Sequence, residues 1–207
     1  MMIGVMRVAL PLVAVIMTAC TVLPRPEPPR VMDLAASVSQ TEFQQPLPVN
    51  IRVDTPLASE PLDSSSILLK PTPYEFQAFS KARWRDSTPV IIRDHLARHL
   101  RDSKGFRNVI IDTSPAIAEL TLLTELSAFH IQYDGTDGAV NVELHAEFVS
   151  NRDGQSLCLR SWNIQEPSRG TDLDSVVQAF SRASNTLATE LTLWSRSCVD
   201  QPHTSAP

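Results

Sequence analysis

Cys158 and Cys198 are the side chains in this sequence with the plainest chemistry open to them. The chain has 3 cysteines, and once Cys20 is set aside for the reason given below, these two remain. A leftover pair in an exported chain points to a disulfide, with two buried free thiols as the alternative. Such a bond would close a loop of about 40 residues and stabilise by roughly 4 kcal/mol in the chain-entropy account. Cys158 has no CxxC partner, so redox catalysis is not indicated. His95 and His99 stand four apart, a spacing that can put two imidazoles on one helix face and on one metal. Leu96 follows His95, so the general-base glutamate of the zinc-protease pattern is missing, and no third ligand stands nearby. The two read as surface or boundary histidines. Asp134 and Asp137, in Asp-Gly-Thr-Asp-Gly, lack the acidic spacing and distal glutamate of a calcium loop and read as a hairpin turn. Arg83-Trp84-Arg85 offers an aromatic between charges, either a recognition spot or a lid over the edge of the core; the lid is favoured. No serine sits in a Gly-x-Ser-x-Gly elbow, and no phosphate-cradling loop occurs among only 6 glycines. No catalytic residue, metal ligand or cofactor is expected, and the chain reads as a protein that is not an enzyme.

Cys20 carries a different chemistry, set by what precedes it. Met1 to Arg7 is short and weakly positive, Val8 to Met17 is an apolar run of 10 residues, and Met17-Thr18-Ala19 leads into the cysteine. That is the build of a secretory signal ending in a small residue, and the run is too short to span a bilayer, which takes roughly 20 residues. The context resembles the lipobox of bacterial lipoproteins, with Met17 where leucine is usual. It implies cleavage after Ala19 and acylation of the Cys20 thiol, palmitate included. Removing Arg7 with the signal peptide, 1–19, leaves 17 basic residues against 23 acidic, a net charge of −6. That balance argues against nucleic acid, whose binding needs a concentrated basic surface. Attachment to the membrane would rest on the lipid, and stable attachment takes more than one acyl chain.

The remaining pattern describes the elements that must position these groups. Residues 20–30 hold the lipidated cysteine and a tether with prolines at 24, 26, 28 and 29, a composition that favours extended polyproline II. Residues 31–199 read as one α+β domain, and 200–207 as a flexible tail. Val31–Ser37 and Ile67–Lys70 are short strand candidates, and Val49, Ile51 and Val53 alternate as a half-buried strand. Ser87 or Thr88 caps a helix with Pro89 in its first turn and Ile92, Leu96 and Leu100 on one face; it stops at Lys104-Gly105, and Val109–Ile111 is a strand. Leu120–Tyr133 and Ala139–Ser150 form a hairpin. In its second strand Val140, Val142, Leu144, Ala146 and Phe148 face one way and Asn141, Glu143, His145 and Glu147 the other. Ser156–Gln165 follows as another strand. A last helix, about Asp172–Ser195 with Thr171 as cap, places Val176, Phe180, Ala183, Leu187, Leu191 and Trp194 on one stripe. The economical architecture is a mainly antiparallel sheet with both helices packed on one face.

One set of motifs goes beyond pattern. Pro73-Tyr74-Glu75-Phe76 leads through Phe79 and Ala82-Arg83-Trp84 to Pro89 and the Ile92–Leu96–Leu100 helix, then Gly105-Phe106-Arg107-Asn108-Val109. Leu144–Val149 with Asp153-Gly154, and Ala179-Phe180 through Leu187, Leu191 and Trp194, follow in the same order. Across Val31 to Trp194 the chain resembles the ABC-type transport auxiliary lipoproteins, the family of the paraquat-inducible C protein. It departs at Val31-Met32-Asp33-Leu34, where members often carry paired tyrosines. The resemblance implies a non-enzymatic component of a transporter built from an ATPase, a permease and a periplasmic MCE (mammalian cell entry) protein, moving lipids or other apolar molecules across the envelope. Thr21 stands where an inner-membrane retention aspartate would be, which implies an outer-membrane lipoprotein facing the periplasm. Docking of the MCE assembly, with self-assembly into a homo-oligomer, is the implied mode of action. The rival readings are an envelope lipoprotein that regulates a cell-wall or other assembly machine, and a direct lipid carrier.

Overall fold

The computed structural model describes residues 27–35, 41–135 and 137–201. The signal peptide, Cys20, most of the tether and residues 202–207 of the tail lie outside the described residues. The described residues form eight strands and two helices: β1 (Arg30–Met32), β2 (Leu47–Val53), β3 (Ser66–Thr72), β4 (Glu75–Trp84), α1 (Thr88–Asp102), β5 (Phe106–Ile111), β6 (Leu120–Asp134), β7 (Asp137–Ser150), β8 (Ser156–Pro167) and α2 (Leu173–Asp200).

The β6–β7 hairpin is the spine. It pairs from Leu120↔Ser150 to Asp134↔Asp137, and Gly135 turns it at φ +63°, a left-handed conformation that costs glycine least. Alternation along β7 buries Val140, Val142, Leu144, Ala146 and Phe148. β8 adds antiparallel to β7. The other edge of β6 is shared: β2 pairs along its start, at Ile51↔Leu120, and β3 along its end, at Leu69↔Ile131. Beyond these lie β5 on β2, and β4 then β1 on β3.

The sheet is mixed, which corrects the expectation of a mainly antiparallel one. Four of the seven strand pairings, β1–β4, β2–β5, β2–β6 and β3–β6, are parallel. The period of apolar residues says which face of a strand is buried, not which strand lies beside it. β2 and β3 therefore look like hairpin partners in sequence, whereas both join β6 in parallel. The ten-residue β4 was not anticipated at all. Seven of its ten residues are exposed and the pattern shows no alternation, and Lys81 interrupts it at φ +56°.

Both helices lie side by side on one sheet face, α1 over β2 and β5 and α2 over β7 and β8. Ser87 is the extended residue before α1, with Pro89 in the first turn, and Ile92, Leu96 and Leu100 are buried. Asp172, rather than Thr171, caps α2: its Oδ1 accepts the Ser175 backbone N–H at 3.0 Å. The helix continues past Ser195 to Asp200 because Cys198 still packs into the core. Trp84 is neither lid nor recognition spot. It is fully buried at the centre, with its ring 5.3 Å from Phe180 and 5.8 Å from Phe129, which are themselves 4.7 Å apart.

Candidate docking surface

The structure puts most of the chemistry-bearing side chains to structural use. His95 and His99 are buried, not at a surface or boundary, with ring centroids 4.7 Å apart. His99 Nε2 lies 3.2 Å from Asn185 Oδ1 on α2, and Asn185 Nδ2 donates to the Ala35 carbonyl. Burial, then the neighbouring His99 and Arg98, holds the His95 pKa down to about 4, and burial likewise lowers that of His99. Two neutral imidazoles therefore tie the helices together. The periodicity that places both on one face of α1 is the same as that of its buried leucines, which is why they turn inward. Among the described residues no group of three or more His, Cys, Asp or Glu side chains is placed to hold a metal. Asp134 and Asp137 are backbone register partners at the end of the hairpin. Arg85, beside Trp84, bridges Asp33 at 3.0 Å and Asp94 at 2.8 Å. Arg93 joins Asp94 and Asp112, fixing α1 to the end of β5. Cys158 on β8 and Cys198 on α2 are paired as a disulfide with Cα atoms 6.3 Å apart, within the span such a bond allows.

What is left over lies on the opposite sheet face, which no helix of the described residues covers. Along β6 to β8 the register sets Leu123, Glu147 and Leu159 in one cross-strand row and Glu125, His145 and Ser161 in the next. Leu57 bridges to Glu125 from the β2–β3 connection, its N–H donating to the Thr124 carbonyl and its carbonyl accepting from Leu126 N–H, both at 2.8 Å. Its side chain is left 71% exposed; on the same sheet face Leu123 of β6 is 40% and Leu159 of β8 is 62% exposed. Leu57 and Leu123 line an open groove of about 320 Å³ walled by Asp54, Glu125, His145 and Glu147, with no lysine or arginine in its lining. Burial, followed by the charge of Asp112, raises the Asp54 pKa. His145 Nδ1 lies 2.9 Å from Ser161 Oγ. Glu143, one row on, accepts from Asn163 Nδ2 at 2.9 Å and from Asn141 Nδ2 at 3.2 Å.

This arrangement sets one hydroxyl against an imidazole, Ser161 against His145, and among the described residues no carboxylate hydrogen-bonds that imidazole to complete a triad. It presents three uncovered leucines in an acidic frame, which suits it to receive an apolar surface with a basic rim. None of the three was singled out from the sequence. The signal was present nonetheless: Leu123 and Leu159 are apolar at positions out of phase with their strands, on the face that alternation assigns to water.

A family described as the ABC-type transport auxiliary lipoprotein component matches residues 33–192, more than half of the chain. The chain belongs to this family. The match begins beyond Cys20. The family is one of transport components, not a class of enzymes, and membership supports a membrane-anchored envelope protein associated with an ABC transport system. The fold is similar to that of the protein XCC0632 from Xanthomonas campestris, of the DUF330 family, at 25% identity and TM-score 0.76, covering 83% of this chain and 97% of that one. An uncharacterized protein shares the fold at 13% identity and TM-score 0.62, covering 81% and 99%. No curated protein matches.

Proposed function

We propose that this family member is the lipid-anchored component of an MCE-type ABC transport system moving lipids or other apolar molecules across the envelope. It is held at the outer membrane through Cys20, faces the periplasm and acts by docking. Its partners are the MCE-domain protein and, through it, the permease and ATPase, with several copies assembling on the partner. Family membership supports the transport association. The observation that carries the docking role is the helix-free sheet face, where Leu57, Leu123 and Leu159 stand uncovered among carboxylates. Leucines left in water on the sheet face away from the core are what a partner surface would cover. The Cys158–Cys198 bond suits an oxidising periplasm. The test is mild crosslinking in native envelopes, then purification and mass spectrometry of what is joined, with Cys20→Ala alongside. Recovery of an MCE protein with its permease and ATPase, weakened in the variant, is the expected result. Recovery of wall synthases, or of no transporter, would overturn the reading.

A further inference from the structure

The β3–β4 hairpin ends in Pro71-Thr72-Pro73-Tyr74-Glu75, and Tyr74 at its tip is 97% exposed. Phe76, next on the hairpin, stands with one edge on His130 at 5.4 Å and Lys70 Nζ 5.2 Å from its ring, which leaves it 40% exposed. A fully solvated tyrosine on a protruding turn is an unusual use of an aromatic side chain. We infer that this tip seats in the headgroup layer of the bilayer that holds the Cys20 lipid, an inference that rests on the anchoring proposed above.

The topology supplies the direction. β1 runs parallel to β4, with Arg30 opposite Ala82. Back along the chain from β1 is therefore also back along β4, towards Tyr74. Glu27 confirms the heading, since its carboxylate lies 3.5 Å from Lys81 Nζ. Seven residues separate Cys20 from Glu27, a reach of at most about 25 Å. Lys81 of β4 and Tyr74, in the turn just before that strand, are likewise seven positions apart, about 23 Å if extended, so a lipid at Cys20 can lie level with the tip. The far end of the molecule is out of range. Lys81 lies opposite the start of β3, between Ser66 and Leu68, and β3 pairs with the last third of β6. From there to Leu120, and to Ile117 beyond it, β6 covers about 30 Å in the opposite direction.

The chemistry of the tip fits that place. Tyrosine puts an apolar ring and a hydrogen-bonding hydroxyl into the interface where one end is dry and the other wet. Pro71 and Pro73 have no backbone N–H, so the turn has fewer donors to desolvate as it enters the headgroups. Lys70 sets a cation beside Phe76 at the tip, and Glu75 is held by the Gln77 amide at 2.7 Å, a balance that requires no anionic lipid.

The test reconstitutes the lipidated protein into phosphatidylcholine vesicles, with and without brominated acyl chains, and compares Tyr74→Trp with Ile117→Trp and wild type. Ile117 is 90% exposed at the opposite end, so both replacements leave the core intact. Expected is a blue-shifted added emission for Tyr74→Trp that brominated lipid lowers about twofold, with Ile117→Trp unaffected. Equal insensitivity of the two, or equal quenching of both, in vesicle-bound protein would overturn the tip contact and leave the anchor standing. Protein that stays in the supernatant would overturn both.

Discussion

The two faces of β6, β7 and β8 are made by one stretch of chain and answer to different demands. The inner face alternates Val140, Val142, Leu144, Ala146 and Phe148 against the stripe of α2, and every one of these is buried. The outer face, one residue out of step, mixes Leu123 and Leu159 with Glu143, His145 and Glu147. The inner face obeys the rule that apolar groups leave water. The outer face breaks it at Leu123 and Leu159, joined by Leu57 from the β2–β3 connection, and nothing in the fold gains from the breach. Consistency on one face and violation on the other separates what folds the protein from what the folded protein meets.

The comparison is broken most severely from the inside. Phe180 lies between Trp84 and Phe129, and Phe180→Ala removes the ring that closes α2 onto the sheet. About 3–5 kcal/mol of stability is expected to go. For a domain of this size that lowers the melting temperature by roughly 10 °C, to be followed by circular dichroism.

The second blow falls at the seam between α2 and β8. Cys158→Ser with Cys198→Ser opens a loop whose ends are 40 residues apart and is expected to cost about 2–4 kcal/mol. Alkylation of intact protein before and after reduction checks the premise. Two thiols reactive only after reduction and unfolding establish the bond, whereas thiols free in unreduced, unfolded protein would show it absent.

The third effect comes through pH. An unfolded chain binds a proton at His95 near pH 6.5, while the folded protein keeps this imidazole neutral down to about 4 because of burial and the adjacent His99 and Arg98. Between these values the unfolded state holds more protons, so stability is full above about pH 6.5 and declines as pH falls towards 4, by about 3 kcal/mol. His99, lowered for the same reason, adds to the decline in the same direction. Denaturant titrations at pH 7 and pH 4.5 measure it. His95→Leu is expected to flatten the acid limb, and an unchanged limb would remove His95 as its cause.

These inner-face effects trace to elements that were readable in the sequence. The β7 alternation, the Ile92–Leu96–Leu100 face and the α2 stripe each repeat at the period of their element, and periodicity reports burial directly. His95 and His99 were misjudged because residue type was weighed over position: they fall in phase with the buried face of α1. Strand order escaped for another reason. Nothing in the alternation of Val49, Ile51 and Val53 says that β2 will lie parallel to β6, since that choice is made by crossovers and the shared edge of one long strand. β4 escaped because a mostly solvated strand has no apolar period to show. The docking face was half legible, its acidic residues assigned to water and its leucines absorbed into strands without regard to phase.

The smallest expected change in stability is the one that sharpens the comparison most. Leu57→Ser with Leu159→Ser alters two side chains that touch water rather than core, and the folded state should shift by no more than about 0.5 kcal/mol. If the outer face existed only to be solvated, removing its leucines would change nothing at all. If it receives a partner, crosslinking to that partner should fall about tenfold or more, since a central apolar contact typically contributes over 1 kcal/mol to an interface and two are removed. The melting curve and the crosslinking yield of one purified variant thus answer separate questions. An unmoved melting curve with lost crosslinking assigns the outer leucines to recognition, and unmoved values of both would return that face to solvent and send the search for the docking site elsewhere on the molecule.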